Sequence, residues 1–208
     1  TWRLALADMS ASWQELDWAP FNMYMEFLPG ESLLARADNI DLSLLARVAG
    51  ESGILSAAAQ QQLNIYLPRG RLENFSLYLP LTAERDRQLT LQTNVVDIDV
   101  AAGDGSPAMW GINGYVEATY DPLNRLATGF ADLESENFGI NIPKLFTHTW
   151  EYNYVNGSIG FHADLSDGLD LSLVSGTLVA NSDPGDGRAV FTSTIHRPLE
   201  GKASSEFE

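Results

Sequence analysis

Residues 157–178 read GSIGFHADLSDGLDLSLVSGTL, and this stretch shows the pattern on which the fold depends. Apolar side chains occupy every second position from Ile159 to Leu165 and again from Leu169 to Leu173. Strict alternation of apolar and polar residues predicts a half-buried β-strand, and the Asp167-Gly168 pair between two such runs predicts a turn. The stretch therefore predicts two antiparallel strands that share one apolar face.

The same alternation recurs along most of the chain, with turn residues between the runs. Further runs begin at Trp2, Phe21, Leu33, Phe75, Leu89, Trp110, Leu126, Phe138, Trp150 and Ala189. Asn156-Gly157 is a second hairpin signal, and a change of phase between Leu91 and Val96 predicts a β-bulge near Val95. We therefore predict about eleven strands, joined mainly by short turns.

One segment departs from this pattern. Residues 41–62 read DLSLLARVAGESGILSAAAQQQ, with apolar side chains at helical spacing. Asp41 is a suitable N-cap, Gly50 is the expected stop of the first helix, and a second short helix follows before Leu67-Pro68. The predicted fold is mainly β (α+β), a curved, open antiparallel sheet or taco-like groove with a two-helix insertion at 41–65.

The chain of 208 residues is expected to form a single domain spanning residues 1–208. Because it begins at Thr1 and ends in a polar tail, it is also expected to be a fragment of a longer chain. It carries 28 acidic and 12 basic residues, a net charge of −16, and this charge argues against nucleic acid as a partner. No apolar run is long enough to predict a transmembrane helix.

Chemistry-bearing motifs are scarce. The sequence contains no cysteine, which excludes thiol nucleophiles, disulfides and cysteine-ligated zinc sites. His148, His162 and His196 are widely spaced, and no nucleophile elbow or phosphate-binding loop occurs. Glu134 and Glu136 could form a glycosidase carboxylate pair, but nothing in their surroundings indicates a raised pKa. We predict no enzyme activity, no metal and no cofactor.

The function then depends on what covers the apolar faces. A second sheet covers them in a sandwich, whereas a ligand covers them in an open sheet. Sheltering a sixteen-carbon acyl chain from water is worth on the order of 13 kcal/mol, which only a continuous apolar surface supplies. The residues predicted to line such a groove are Ile112, Val116, Phe130, Phe138, Ile140, Ile159, Phe161, Leu169, Leu171 and Leu173.

Several segments, taken in order, resemble a known family. The chain passes from Leu33–Asp41 into the helices, then through Pro68-Arg69-Gly70-Arg71-Leu72 into a strand. Later, Gly129–Pro143 leads into Leu145-Phe146, and the hairpin after Gly157 follows. This order, over residues 15–198, resembles the YhdP-type proteins of the AsmA-like group, which are related to TamB.

The resemblance implies a periplasmic protein of the Gram-negative cell envelope, held to the inner membrane by an N-terminal segment absent from this sequence. It implies an elongated β-groove that carries phospholipid between the inner and outer membranes, as part of outer-membrane biogenesis. The partners implied are phospholipid acyl chains and the inner membrane, and no catalytic residue is implied. The groove-lining residues named above follow from the alternation alone.

Two alternatives stay open on the residues. One is a calcium-stabilised β-sandwich that binds carbohydrate or a protein partner, and the other is a passive scaffold domain in an envelope assembly. The residues that would serve the calcium and binding sites are Asp97, Asp99, Asp104, Asp164, Asp167, Asp170, Asp183 and Asp186 in the loops, and Trp110, Trp150 and Tyr152 among the aromatics.

Overall fold

The computed structural model describes residues 1–10, 12–13, 16–53, 57–82, 88–103, 106–141, 148–198 and 204–207. The described strands are β1 (Trp2–Met9), β2 (Ser12–Trp13), β3 (Leu16–Asp17), β4 (Phe21–Leu28), β5 (Ser32–Asp41), β6 (Arg69–Pro80), β7 (Leu89–Val100), β8 (Ala108–Asp121), β9 (Leu126–Asn141), β10 (Trp150–Asp164), β11 (Gly168–Ser175), β12 (Leu178–Ser182), β13 (Gly185–Ala189), β14 (Thr192–Pro198) and β15 (Ser204–Phe207). The helices are α1 (Leu42–Glu51) and α2 (Ala57–Tyr66).

The main sheet contains 13 of these strands, and the neighbouring strands are antiparallel. Its order is β1-β4-β5-β6-β7-β8-β9-β10-β11-β14-β15, with β12 beside β10 and β13 beside β12. Among the described residues β1 does not pair with β15, so the sheet is open. This confirms the predicted mainly β fold with a two-helix insertion. The structure describes 15 strands, more than the eleven or so predicted, and part of the difference is due to very short strands such as β2 and β3, of two residues each.

The predicted helix start is confirmed, whereas the predicted stop is wrong. The Asp41 side chain accepts a 3.0 Å hydrogen bond from the Leu44 backbone N–H and caps α1. The helix continues through Gly50 to Glu51, and the left-handed conformation is adopted by Gly53, at φ +70°. A helix tolerates glycine in its interior, so the left-handed residue that follows α1 is Gly53 and not Gly50.

The hairpin predicted at Asn156-Gly157 is also wrong, because both residues lie inside β10. β10 changes its partner there: Tyr154–Asn156 pair with β12, and Ile159–Asp164 pair with β11. Gly157 has a φ of +146°, and a Cβ at this position would lie 2.7 Å from Leu178 Cδ2. Glycine is therefore required where two strands meet along one edge of β10. The predicted turn at Asp167-Gly168 is confirmed.

The bulge predicted near Val95 is confirmed. The pairing of β7 with β8 shifts between Val95 and Ile98, where Asp97 has a φ of +50°. The Asp97 backbone N–H donates to the Asn113 Oδ1 at 2.9 Å, and the Asn113 N–H donates to the Ser135 Oγ at 2.8 Å. Polar side chains thus replace the ladder hydrogen bonds that the bulge interrupts, which explains the complete burial of Ser135.

A similar arrangement joins β1, β4 and β5. The Asp8 N–H donates to the Asn22 Oδ1 at 3.0 Å, next to a register shift in β1. The Asp38 carboxylate accepts the Asn22 backbone N–H at 2.7 Å and the Asn22 Nδ2 at 2.6 Å. The backbone hydrogen bond from Asn22 is the main reason that the pKa of Asp38 lies below its usual value. Asp38 therefore favours folding in its charged form.

We expect Asp38→Asn to reduce the acid sensitivity of folding. Because the folded-state pKa of Asp38 is lowered, its contribution is fully present above the unfolded pKa of about 3.9 and is lost as pH falls through the folded value. The thermal midpoint of the variant, measured from pH 7 down to acid, should fall less steeply than that of the parent. Asp167→Asn, in an exposed turn, is the control, and identical slopes for Asp38→Asn and the parent would contradict the assignment.

Candidate functional site

The strand register divides the main sheet into two faces of opposite character. Residues paired across antiparallel strands point to the same face, and successive residues point to opposite faces. We call one of them the apolar face. On it lie Trp2, Leu4 and Leu6 of β1; Met23, Met25 and Phe27 of β4; Leu33, Ala35 and Ala37 of β5; Phe75, Leu77 and Leu79 of β6; Leu89, Leu91, Thr93 and Val95 of β7; Gly114, Val116, Ala118 and Tyr120 of β8; Ala127, Gly129, Ala131, Leu133 and Ser135 of β9; Val155, Gly157, Ile159, Phe161 and Ala163 of β10; Leu169, Leu171, Leu173 and Ser175 of β11; and Ser193, Ile195 and Arg197 of β14.

The opposite face is mostly polar. Arg3 and Glu26 form an ion pair at 2.7 Å across β1 and β4. Further along the sheet, Glu117 accepts hydrogen bonds from Gln92 at 2.9 Å and from the Tyr115 hydroxyl at 3.0 Å. These groups keep the outer surface in contact with water, so the sheet is amphipathic over its whole width.

Seven of the ten predicted lining residues lie on the apolar face. These are Val116, Ile159, Phe161, Leu169, Leu171 and Leu173, together with Ile112, which pairs with the buried Ile98. The prediction that all ten share one face is wrong for the other three. Phe130 pairs with Glu117 and Gly160 on the polar face.

Phe138 and Ile140 are the other two exceptions. They pair with Tyr152 and Trp150, which occupy even-numbered positions of β10, opposite in direction to Ile159. The rings of Phe138 and Tyr152 lie 6.2 Å apart on that outer surface. The register between β9 and β10 is continuous from Ile140 to Leu126, so Phe138 and Ile140 lie on the same face as Phe130.

The physical reason for the Phe130 error is visible at Gly129. A Cβ at Gly129 would lie 2.2 Å from the Glu117 carbonyl oxygen and 2.5 Å from the Phe161 Cζ. The Phe161 ring therefore occupies the space above β9, and β9 contributes small residues to the apolar face. A prediction that selects large apolar side chains misses small residues that make room for a neighbour.

Sequence reasoning also omitted lining residues in the first half of the chain. Met23, Met25 and Phe27 lie on the same face as Leu77 and Leu91. The alternation in these strands was the signal that could have identified them. The alternation alone does not show the register between strands. The register is what places the apolar sides of these strands and of the later strands on the same face.

Little of the apolar face is covered by protein. The chain exposes 13146 Å², whereas a compact monomer of this mass exposes about 9,600 Å². Among the described residues the buried hydrophobic side chains are Ala37, Leu44, Ile98, Val155 and Ala163. At the edge strand β1, Trp2 is 48% exposed and Leu4 is 40% exposed. In the described ranges α1 packs against β5, β6 and α2, and the second sheet consists of the two-residue strands β2 and β3.

A contact between distant strands shows that the sheet is curved. The Arg197 Nη2 donates to the Ser106 Oγ at 3.2 Å, although Ser106 precedes β8 and Arg197 lies in β14. In a flat sheet these two strands would be about 19 Å apart, since three strands lie between them. Arg197 pairs with Leu169 on the apolar face, so this face is the concave one. We call the concave apolar surface the trough.

Several of the aspartates named for the calcium alternative form local hydrogen bonds, and Asp104 lies outside the described residues. The Asp99 carboxylate accepts from the Gly111 N–H at 3.0 Å, and Asp183 accepts from the Asn153 Nδ2 at 2.9 Å. Asp164 accepts from the Ser166 hydroxyl and N–H, which lower the pKa of Asp164. In the part of the chain that the structure describes, no three His, Asp or Glu side chains form a metal-binding group.

Two of the histidines lie on the polar face. His162 is exposed and pairs with Thr128 and Ser172, and the His196 Nδ1 contacts the Asp170 carboxylate. His148 precedes β10 and is exposed. The described histidines are therefore separate from one another and from the trough.

The described geometry defines a class: a one-layer, curved antiparallel sheet with an apolar concave face and a polar convex face. Neither described helix has the length and apolar character that crossing a membrane requires.

Comparison with protein-family models, curated proteins and solved structures finds no match to the chain.

Proposed function

We propose that the chain is a segment of a bridge-like carrier that moves phospholipid between the inner and outer membranes of a bacterial envelope. In this function the trough shelters the acyl chains while the polar face remains in water. The observation that supports the proposal is the apolar face itself, which extends across ten strands without a second layer over it. The carrier works in the periplasm, anchored to the inner membrane through a segment absent from this sequence, and needs no catalytic residue or cofactor.

The size of the exposed surface agrees with an apolar cargo. Sheltering a sixteen-carbon chain is worth on the order of 13 kcal/mol, which corresponds to about 500 Å² of apolar surface. The chain exposes roughly 3,500 Å² more than a compact monomer of its mass. An open sheet with this much exposed surface is compatible with an apolar cargo as large as an acyl chain.

The charge distribution also supports a carrier. The net charge is −16, and the charged groups that pair across the strands lie mainly on the polar face. An acidic outer surface is repelled by the anionic headgroups of a bilayer. The protein then has no strong electrostatic reason to remain on one membrane, and the lipid tails are held only by non-directional apolar contact.

The calcium-stabilised alternative finds less support. It needs a second sheet over the apolar face and loop carboxylates directed at a common point. The main sheet has one layer, and in the described residues Asp99, Asp164 and Asp183 direct oxygens to neighbouring N–H groups. No specific observation favours a carbohydrate site, so we do not propose one.

A photoreactive benzoylphenylalanine at Phe161 tests the proposal, with the same residue at Phe130 as the matched control. The two positions lie on adjacent strands but on opposite faces of the sheet. After expression in a Gram-negative bacterium and irradiation, mass spectrometry should find phospholipid attached to the protein labelled at position 161 and little at position 130. Equal labelling at both positions, or no lipid at position 161, would exclude the trough as the lipid site.

A further inference from the structure

One side-chain contact joins two rims of the trough that lie far apart along the strands. Ser106 lies just before β8, at the end of the sheet where β8 begins beside Asn141 and β10 begins. Arg197 pairs with Leu169, next to Asp164 at the other end of β10. The 15 residues of β10 would separate these two ends by about 50 Å in a straight strand. The Arg197 Nη2 nevertheless donates to the Ser106 Oγ at 3.2 Å, so the strands bend until the two rims meet over the apolar side.

The bend coincides with a line of left-handed residues near the rim that carries Ser106. Asp97 in β7, Gly111 in β8 and Asn137 in β9 have φ values of +50°, +66° and +56°. Asp97 is joined to β8 through the Asn113 side chain, and a Cβ at Gly111 would lie 2.6 Å from the Asn137 carbonyl oxygen. Irregular residues of this kind bend a strand. The line therefore accounts for the direction in which this end of the sheet is folded.

The Ser106 side of the contact is fixed by α2. Ser106 and Gly103 exchange backbone hydrogen bonds, at 2.7 Å from the Ser106 N–H and at 3.3 Å from the Gly103 N–H. The Ala101 N–H donates to the Tyr66 carbonyl oxygen at 2.8 Å, and the Tyr66 hydroxyl lies 3.3 Å from the Ser106 Oγ. A Cβ added at Gly103 would collide with the Ile65 side chain, so the helix and this turn are in close contact.

The Arg197 side of the contact belongs to the periphery of the sheet. β14 pairs with β11 and β15, and β11 joins the rest of the sheet through Ile159–Asp164 of β10. In the described strands no backbone pairing connects β14 to β8. The two rims therefore meet through side chains, and they can separate while the described strands keep their partners.

We propose that the contact between Arg197 and Ser106 is a clasp that closes the trough over a bound lipid and opens to admit or release it. This inference rests on the proposed function and adds the route by which lipid enters the trough. A lipid beneath the closed clasp has the sheet on one side and the joined rims on the other, so it cannot leave sideways. Closure over a ligand commits that ligand to its site, and the opening step then sets the rate of exchange.

Reversible crosslinking tests the clasp, because the chain contains no cysteine of its own. The double variant Ser106→Cys, Arg197→Cys is treated with a short bismethanethiosulfonate crosslinker, whose spacer replaces the length of the arginine side chain. We expect the crosslinked protein to take up a pyrene-labelled phosphatidylcholine from vesicles at least about tenfold more slowly than before crosslinking. Protein that is loaded first and then crosslinked should release the lipid with a similar delay. Reduction with dithiothreitol should restore both rates.

Two further variants serve as controls. The double variant Thr119→Cys, Thr128→Cys joins β8 to β9 on the polar face, where the two native Oγ1 atoms are 2.9 Å apart, and its crosslink should leave both rates unchanged. Ser106→Ala removes the hydroxyl that Arg197 and Tyr66 contact and should speed release about fivefold, as the loss of one hydrogen bond provides. Circular dichroism establishes folding, and Ser106→Ala decides the result if the first double variant does not fold.

The possible failures are distinguishable. If the parent protein takes up no labelled phospholipid, the proposed carrier function fails. If the parent takes up lipid and the crosslink between positions 106 and 197 changes neither rate, the clasp is wrong and the carrier function stands. A folded variant that does not crosslink would show that the two rims are not in contact, which also overturns the clasp. An equal delay from the crosslink between positions 119 and 128 would mean that the delay is not specific to the rims.

Discussion

Leu173→Asp should strongly weaken lipid binding, whereas Val174→Asp should leave it intact. The two residues are adjacent in β11 but point to opposite faces, Leu173 into the trough and Val174 to solvent, with 55% of Val174 exposed. A carboxylate in the trough would have to lose water under the acyl chain. At roughly 3 kcal/mol for an uncompensated polar group, the affinity falls about 100-fold.

The measurement is the affinity of each variant for a short-chain phospholipid, together with the lipid that co-purifies from a Gram-negative host. Because Leu173 is only half-buried in the unliganded sheet, both variants are expected to fold, and thermal unfolding checks this. If Leu173→Asp binds as well as Val174→Asp, the trough is not where lipid lies.

Gly129→Ala should strongly destabilise the sheet. The added Cβ would lie 2.2 Å from the Glu117 carbonyl oxygen and 2.5 Å from the Phe161 ring, and the first of these atoms belongs to the backbone. The strand must shift, so we expect a loss of about 2–4 kcal/mol in the free energy of unfolding. Gly160→Ala is the matched control, since its nearest neighbours would be 3.7 and 4.0 Å away.

Urea unfolding followed by circular dichroism measures both variants. The control is expected to change the free energy of unfolding by less than about 1 kcal/mol. Comparable stability of the Gly129→Ala and Gly160→Ala proteins would show that β8, β9 and β10 are less closely packed than described. Since Phe161 also lines the trough, the first variant should lose lipid along with stability.

The strands and their one-sided character could be predicted because period two is a local property. Ile159 and Phe161 repeat every second residue, so any strand containing them has an apolar side. The bulge at Asp97 was predictable for the same reason, since a phase change within one strand requires an inserted residue. These conclusions needed no knowledge of which strands are neighbours.

The positions of individual residues in the candidate site depended on pairing between strands, which the alternation does not contain. Phe130 and Phe161 both belong to runs in which apolar residues occupy every second position. The register between their strands nevertheless directs the two rings to opposite faces. Arg197 continues the alternation of Ser193 and Ile195, but only its pairing with Leu169 shows that this side of β14 is the concave one. The hairpin prediction at Asn156-Gly157 was wrong because a glycine required for close contact between strands looks the same in a sequence as a glycine required for a turn.

The strand order has a consequence for how the molecule is built. From β4 to β11 each strand pairs with the next strand along the chain, and the two helices are inserted between β5 and β6. Such a meander closes only short loops, so a growing chain can add one hairpin at a time to an edge already formed. Duplication of a hairpin would add strands to the sheet without disturbing the strands already paired. The length of the sheet can therefore change easily during evolution.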